Sequence, residues 1–324
     1  MKNILVTGAA GFIGSRTCEK LVDEDHDYIV TGIDNINDYY DIRLKEHRLK
    51  QLTKKPVDFQ KIDIENYVEL SNLFKKKKFD AVINLAARAG VRASIENPDI
   101  YFSTNVHGTL NLLKLCVEHK IKKFVLASTS SLYSGEPTPF SEKNTGNEPI
   151  SPYAASKKAA EVLTYTYHYL YNLDVTVVRY FSVYGPAGRP DMSPLRFIHS
   201  IVEGKTLKLY GDGNQSRDFT YIDDIAEGTI KALFPLGYEI INLGGGKTPL
   251  TINNFIKAIE EKTNKKAIIE HFPFNKADMK ETMADISKAL DLLGWQPLTG
   301  LAEGICKTVD WYFENRDFMK GIDY

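Results

Sequence analysis

Three cysteines, Cys18, Cys116 and Cys306, are all that 324 residues contain. They are too few and too scattered for a disulfide framework or a metal knuckle, and a reducing cytoplasm is the expected setting. Charge of one sign is missing as well, because 41 Lys plus Arg stand against 42 Asp plus Glu, a net charge of -1. That balance excludes the basic excess of a nucleic-acid binder and leaves any attraction to an anion to a few placed residues. Long apolar runs are also absent. The run AVINLAA at 81–87 stops well short of the roughly 18 residues a membrane span needs. The chain begins directly with strand-like KNILVTG, so neither signal peptide nor membrane anchor is expected. The seven histidines show no ligand spacing, and no metal is expected.

What is present is enough apolar residue, 43%, to bury a large core. The first half alternates β-branched runs near 3–7, 28–33, 57–62, 80–86, 123–128 and 174–179 with amphipathic stretches near 12–24, 66–76, 98–119 and 153–172. That pattern predicts an α/β fold with a doubly wound parallel (Rossmann) sheet. Beyond residue 180 come loops rich in Gly and Pro, with short helices near 194–203, 222–234, 252–263 and 300–315. We expect residues 1–180 to form the sheet domain, with return segments near 218–246. Residues 181–324 are expected to form mainly a smaller α/β domain over the sheet's carboxyl edge.

Gly8, Gly11 and Gly14 fall at the first strand-to-helix junction, where a tight turn brings backbone amides to a pyrophosphate. A second strand, YIVTGID, ends in Asp34, 20 residues after Gly14. Its carboxylate suits ribose hydroxyls and repels a 2′-phosphate, which favours NAD over NADP. Asp63, after the third strand, suits either an adenine contact or the cap of the helix at 66–76.

In EPISPYAASKKAAEVL, Ser151 can cap a helix that Pro152 begins, placing Tyr153 and Lys157 four residues apart on one face. A nearby ammonium favours the phenolate of a tyrosine that must act as a base. The fifth strand ends in Ser128–Ser131, and a parallel sheet delivers those hydroxyls to the same cleft, where Thr129 can hold a reacting hydroxyl against Tyr153.

These residues resemble the extended short-chain dehydrogenase/reductase superfamily and its nucleotide-sugar epimerases. The resemblance covers essentially the whole chain, through TGAAGFIG, DNINDYYD, NLAARAGVR, STSS, YAASK, RYFSVYGPAGRPDM, GDGNQSRDFTYIDD and LGWQPLTGLAEGI. DNINDYYD, AGVR and GPAGRPDM together look like the UDP-glucuronate 4-epimerases. The resemblance implies a triad of Thr129, Tyr153 and Lys157. It implies an NAD site at Gly8, Gly11, Phe12, Ile13, Gly14, Asp34, Asn35, Asp63, Ile64, Leu85, Ala86, Ala87, Tyr153, Lys157 and Tyr180. It assigns Arg217 to the nucleotide diphosphate, Ser182 and Arg189 to the sugar carboxylate, and Asn105, Arg88 and Asp278 to the same UDP-sugar site. A homodimer built by the helices near 98–119 and 153–172 is implied too.

Oxidation at carbon 4 of a UDP-uronate makes a keto acid that loses carbon dioxide readily. Related decarboxylases and dehydratases place a glutamate two residues before the tyrosine of the STSS stretch, where this chain has Ser131. Hydroxyls at Ser130 and Ser131 can bind the carboxylate without proton transfer at carbon 5, which favours plain 4-epimerisation. Arg189 can instead pair with Asp191, as an ordinary loop arginine does. The alternatives are a UDP-glucose or UDP-N-acetylglucosamine 4-epimerase, a UDP-glucuronate decarboxylase, and a non-enzymatic sensor of NAD or nucleotide sugar.

Overall fold

The computed structural model describes residues 1–23, 28–247, 249–274 and 276–324, so His26 lies outside the described residues. β1 (Lys2–Thr7) leads to α1 (Phe12–Leu21), β2 (Tyr28–Asp34) to α2 (Ile42–Leu52), and β3 (Val57–Lys61) to α3 (Tyr67–Lys76). β4 (Ala81–Asn84) is followed by α4 (Val91–Glu96), α5 (Pro98–Phe102), a π-helical turn at Ser103–Gly108 and α6 (Thr109–Glu118). β5 (Lys123–Thr129), α7 (Pro152–Tyr171) and β6 (Asp174–Tyr180) complete the first half. Then come β7 (Ser182–Tyr184), α8 (Ser193–Glu203), β8 (Thr206–Tyr210), β9 (Ser216–Arg217), β10 (Phe219–Tyr221), α9 (Ile222–Lys231) and β11 (Tyr238–Leu243). The chain ends with β12 (Leu250–Thr251), α10 (Ile252–Thr263), β13 (Ile268–Phe272), α11 (Ser287–Leu293), α12 (Leu301–Glu314) and α13 (Arg316–Lys320).

Seven strands pair in parallel in the order β11-β6-β5-β4-β1-β2-β3. The period of two along each strand sorts side chains between two cores. Ile4 and Val6 join Cys18 and Leu21 of α1 and Ile225 and Ile230 of α9, whereas Leu5 joins Phe74 of α3, Leu112 of α6 and Ala160 of α7. A third core collects Ile198 and Ile201 of α8, Phe255 and Ile259 of α10, and Val309 and Tyr312 of α12. This core also takes Leu207 and Leu209 of β8, which pairs in parallel with β13.

Three elements differ from the hydrophobic pattern, each for a local reason. α2 is hidden from periodicity because its buried positions include Lys45 and Arg48 beside Leu44 and Leu52. The expected helix at 98–119 runs without a gap from Pro98 to Glu118 but winds as a π-helix over Ser103–Gly108, where Gly108 packs so closely on Ile64 that a Cβ would come within 2.5 Å of Ile64 Cδ1. β4 stops at Asn84 rather than 86 because the Ala86 N–H turns to donate to Thr7 Oγ1 at 3.0 Å. Among the described residues no helix is long and apolar enough to cross a membrane.

Candidate active site

The strand order reverses between β1 and β4, which opens a crevice at their carboxyl ends. A cavity of about 680 Å³ occupies that position. Gly8 turns the chain at φ 70°, and a Cβ there would come within 2.8 Å of the Ala86 nitrogen. At Gly14 a Cβ would lie 2.0 Å from the Gly8 carbonyl oxygen, so only hydrogen fits. The next helix starts at Gly11 with no side-chain cap, leaving the first-turn N–H groups of α1 for an anion. Asp34 accepts from the Ala10 N–H at 3.1 Å through Oδ2 and from the Ile36 N–H at 2.8 Å through Oδ1, so each oxygen keeps a lone pair. Asn35 donates to Asp63 Oδ2 at 2.7 Å, joining the ends of β2 and β3. Asp63 is not the cap of α3, because Asn66 accepts the N–H of Glu69 there at 3.2 Å. A narrow glycine turn, unmet amides and a two-oxygen acceptor fit the pyrophosphate and ribose of a dinucleotide. Phe12, Ile13, Ile64, Leu85, Ala86 and Ala87 line the same end of the cavity. Tyr180 lines it too, with its hydroxyl hydrogen-bonded to Thr229 Oγ1 at 2.8 Å.

Across the cavity Ser151 caps α7 by accepting from the Ala154 N–H at 3.2 Å, and Pro152 opens the helix. Tyr153 and Lys157 thereby face the end of β5, where Thr129 stands. Burial pushes the Tyr153 phenol above its ordinary value, while its hydrogen bond with Thr129 and the charge of Arg189 pull it back. Burial brings the Lys157 ammonium down to about 8, opposed by Glu161 one turn along. The Glu161 carboxylate accepts from Ser128 Oγ at 2.6 Å and from Arg179 at 2.9 and 2.7 Å, which ties α7 to the ends of β5 and β6.

The same cavity is also lined by Ser130, Ser131, Ser182, Arg88, Arg189, Arg217 and Asp278. Arg189 pairs with Asp191, Nε to Oδ1 at 3.0 Å, and donates to the Ala89 carbonyl at 3.1 Å. Asp278 accepts from Arg92 at 2.5 Å, and that guanidinium lies 3.7 Å from the centre of the Tyr210 ring. Asn105 alone among the expected residues does not line the cavity. It is buried behind the wall, where it accepts from the Arg88 N–H at 2.8 Å and donates to the Arg88 carbonyl and Ser156 Oγ, both at 2.9 Å. Its side chain braces the backbone of Arg88.

The pattern of the NAD dependent epimerase/dehydratase family matches residues 4–244. The chain belongs to this family. It is 56% identical over 319 residues to the UDP-glucuronate 4-epimerase of Thermodesulfobacterium geofontis, covering 98% of both chains. The crystal structure of UDP-glucuronic acid 4-epimerase from Bacillus cereus, in complex with UDP-glucuronic acid and NAD, superposes with a TM-score of 0.90. That match is at 38% identity and covers 96% of this chain and 99% of the other. A UDP-glucose 4-epimerase from Thermotoga maritima, crystallised with UDP-glucose, gives a TM-score of 0.87 at 30% identity, covering 97% and 99%.

For an epimerase/dehydratase chain, several cavity residues escape motif reading: Asn37, Tyr39, Tyr40, Lys45, Arg196 and Tyr210. DNINDYYD contains the first three, but no spacing rule separates the ones that point inward. Lys45 is 5% exposed, donates to Asn37 Oδ1 at 3.0 Å, and is brought by burial to about 8. A buried lysine on a charged helix leaves no periodic signal.

Proposed function

We propose that this chain is a UDP-glucuronate 4-epimerase, interconverting UDP-glucuronate and UDP-galacturonate. The observation that carries the reading is one cavity lined by Thr129, Tyr153 and Lys157 together with Arg88 and Arg189, with Ser131 where an acid would serve decarboxylation. The 56% identity to an enzyme of that name supports it. The glycine turn, Asp34, Asp63 and Lys157 would hold NAD, which when bound supplies the acceptor and donor of hydride at carbon 4. Tyr153 takes the proton of the carbon 4 hydroxyl and later returns it, with the Lys157 ammonium stabilising its phenolate. Thr129 holds the reacting oxygen beside Tyr153. Ser130, Ser131 and Ser182 hold the carboxylate by hydrogen bonds without abstracting a proton at carbon 5, and Arg189 supplies its charge. Arg217 meets the diphosphate, with Asp278 beside it.

The division of labour follows the chain: residues 1–180, with 218–246 returning to the sheet, form the NAD-binding unit, and 181–324 mainly form the UDP-sugar unit. A homodimer through the helices near 98–119 and 153–172 fits the exposed apolar face of Val162, Tyr165 and Tyr169 on α7 and Phe102 on α5, which are 55%, 52%, 74% and 44% exposed. A monomer in sedimentation at micromolar concentration removes that part. Three free cysteines fit a cytoplasmic location.

The test is incubation of the purified holoenzyme with UDP-glucuronate in D₂O, followed by proton NMR. UDP-galacturonate without deuterium at carbon 5 is the expected product. UDP-xylose or its 4-keto precursor shows decarboxylation, and an unchanged sugar with NAD bound shows a sensor.

A further inference from the structure

Tyr39 belongs to the loop between β2 and α2, outside anything a dinucleotide turn or a tyrosine–lysine pair requires. Two guanidinium groups converge on its ring, with Arg88 Cζ 5.7 Å and Arg189 Cζ 5.3 Å from the ring centre. The ring itself is held from several sides. The Tyr39 N–H donates to Asn37 Oδ1 at 3.2 Å, and its hydroxyl accepts from the Tyr101 hydroxyl at 3.3 Å. The phenol oxygen rests on Gly90, where a Cβ would come within 2.3 Å of it and where φ is 132°. The Tyr40 ring packs edge-on at 6.3 Å.

The two cations it gathers have few partners of their own. Arg189 has Asp191 and the Ala89 carbonyl. Arg88 reaches Asn37 Oδ1 at 3.4 Å through Nη1, and its Nε is buried with no hydrogen-bond partner. Lys45 Nζ shares Asn37 Oδ1 with Arg88, at 3.0 Å, so the positive charges of Arg88, Arg189 and Lys45 outnumber the nearby carboxylates of Asp191 and Asp34, and the electron-rich face of a fixed ring lies against the two guanidinium groups. A surplus cation beside an unmet buried donor is what an incoming carboxylate needs.

The geometry points to Tyr39 as a specificity-determining positioning residue. Its ring holds Arg88 and Arg189 side by side as the receptor for the sugar carboxylate, and so sets the preference for a UDP-uronate over a neutral UDP-hexose. This rests on the function proposed above. The same ring is linked to the proton-transfer end, because Tyr101 meets Tyr153 edge-on at 6.2 Å.

The test is titration calorimetry of the NAD-loaded holoenzyme with UDP-glucuronate and with UDP-glucose, for wild type, Tyr39→Leu and Tyr39→Phe, alongside KM and kcat for UDP-glucuronate. Tyr39→Leu should weaken UDP-glucuronate about 10-fold, through loss of the ring against Arg88 and of one of the two rings against Arg189, the other being Tyr40 at 5.8 Å. UDP-glucose binding should hold, and the kinetic loss should fall on KM rather than kcat. Tyr39→Phe keeps the ring and should keep the preference. Retained NAD absorbance shows that a variant is folded, and Tyr39→Met replaces the leucine variant if that one is not. Equal weakening of both nucleotide sugars, loss of kcat at unchanged KM, or no change in the leucine variant overturns the proposal. Wild type that prefers UDP-glucuronate in binding yet leaves it unconverted removes the epimerase reading, and Tyr39 is then judged on the binding ratio alone.

Discussion

Replacing Arg179 by Met probes the charge pair that ties α7 to the ends of β5 and β6. Arg179 and Glu161 are 1% and 2% exposed and joined by two charge-assisted hydrogen bonds at 2.9 and 2.7 Å. Without the guanidinium, the carboxylate keeps the Ser128 hydroxyl at 2.6 Å, the Lys158 ammonium at 3.9 Å and the charge of Lys157 one turn away. Breaking one side of a buried pair costs about 3–5 kcal/mol, because the remaining charge has already lost its water. Lys158 is 23% exposed and free to swing nearer, which recovers part of that, so we expect about 3 kcal/mol. For a chain of this size that lowers Tm by roughly 4–5 °C. The assay is urea unfolding of the holoenzyme at fixed NAD, since bound cofactor adds to apparent stability. The double variant Arg179→Met with Glu161→Met completes the cycle, and an apolar pair of similar volume should restore most of the loss. A single variant within about 1 kcal/mol of wild type, or a double variant no better than the single, would refute the account of Glu161 as a buried charge dependent on Arg179.

Other substitutions test the site from different directions. Gly14→Ala drives a methyl group to 2.0 Å from the Gly8 carbonyl, so α1 must shift from β1 and the purified protein should lose its NAD absorbance; a variant that still carries stoichiometric NAD shows the turn is looser than described. Tyr153→Phe removes the proton carrier and should lower kcat by about 10²–10⁴-fold with NAD retained, whereas wild-type turnover would show that the base is elsewhere. Asp218, buried under the N–H groups of Ala284 and Gly246, is pushed by burial up to about 6. A carboxyl whose folded value is raised stabilises the fold while protonated, and that support is lost as pH rises from about 4 to about 6, amounting to at most about 3 kcal/mol. Asp218→Asn should therefore flatten the dependence of unfolding free energy on pH across that window, and an unchanged slope contradicts the assignment.

Where a face of the chain is apolar, the sequence announced its place: the strands of the sheet alternate between two cores, and Ser151 and Pro152 mark the start of α7 before any coordinates are known. The chemistry that depends on one helix or one turn was equally legible, since Tyr153 and Lys157 sit four residues apart and the glycines need only their own backbone. Legibility failed where burial is polar. α2 turns Lys45 and Arg48 inward, so its inner face looks like an outer one. Arg48 spends its donors on the Ala10, Ala187 and Gly188 carbonyls and the Tyr40 hydroxyl, fastening the nucleotide turn to the loop that carries Arg189. Asn105 is a related case: its residue type does not reveal that its side chain lies behind the cavity wall, bonded to the Arg88 backbone and to Ser156. The carboxylate end is the extreme case. Residues 39, 88 and 189 come from three loops, after β2, β4 and β7, and only the tertiary fold brings them to one ring. Residue types can suggest that an arginine meets a carboxylate, but what keeps two arginines together long enough to do so is a tertiary contact, and it falls on a tyrosine whose position in sequence predicts nothing about charge.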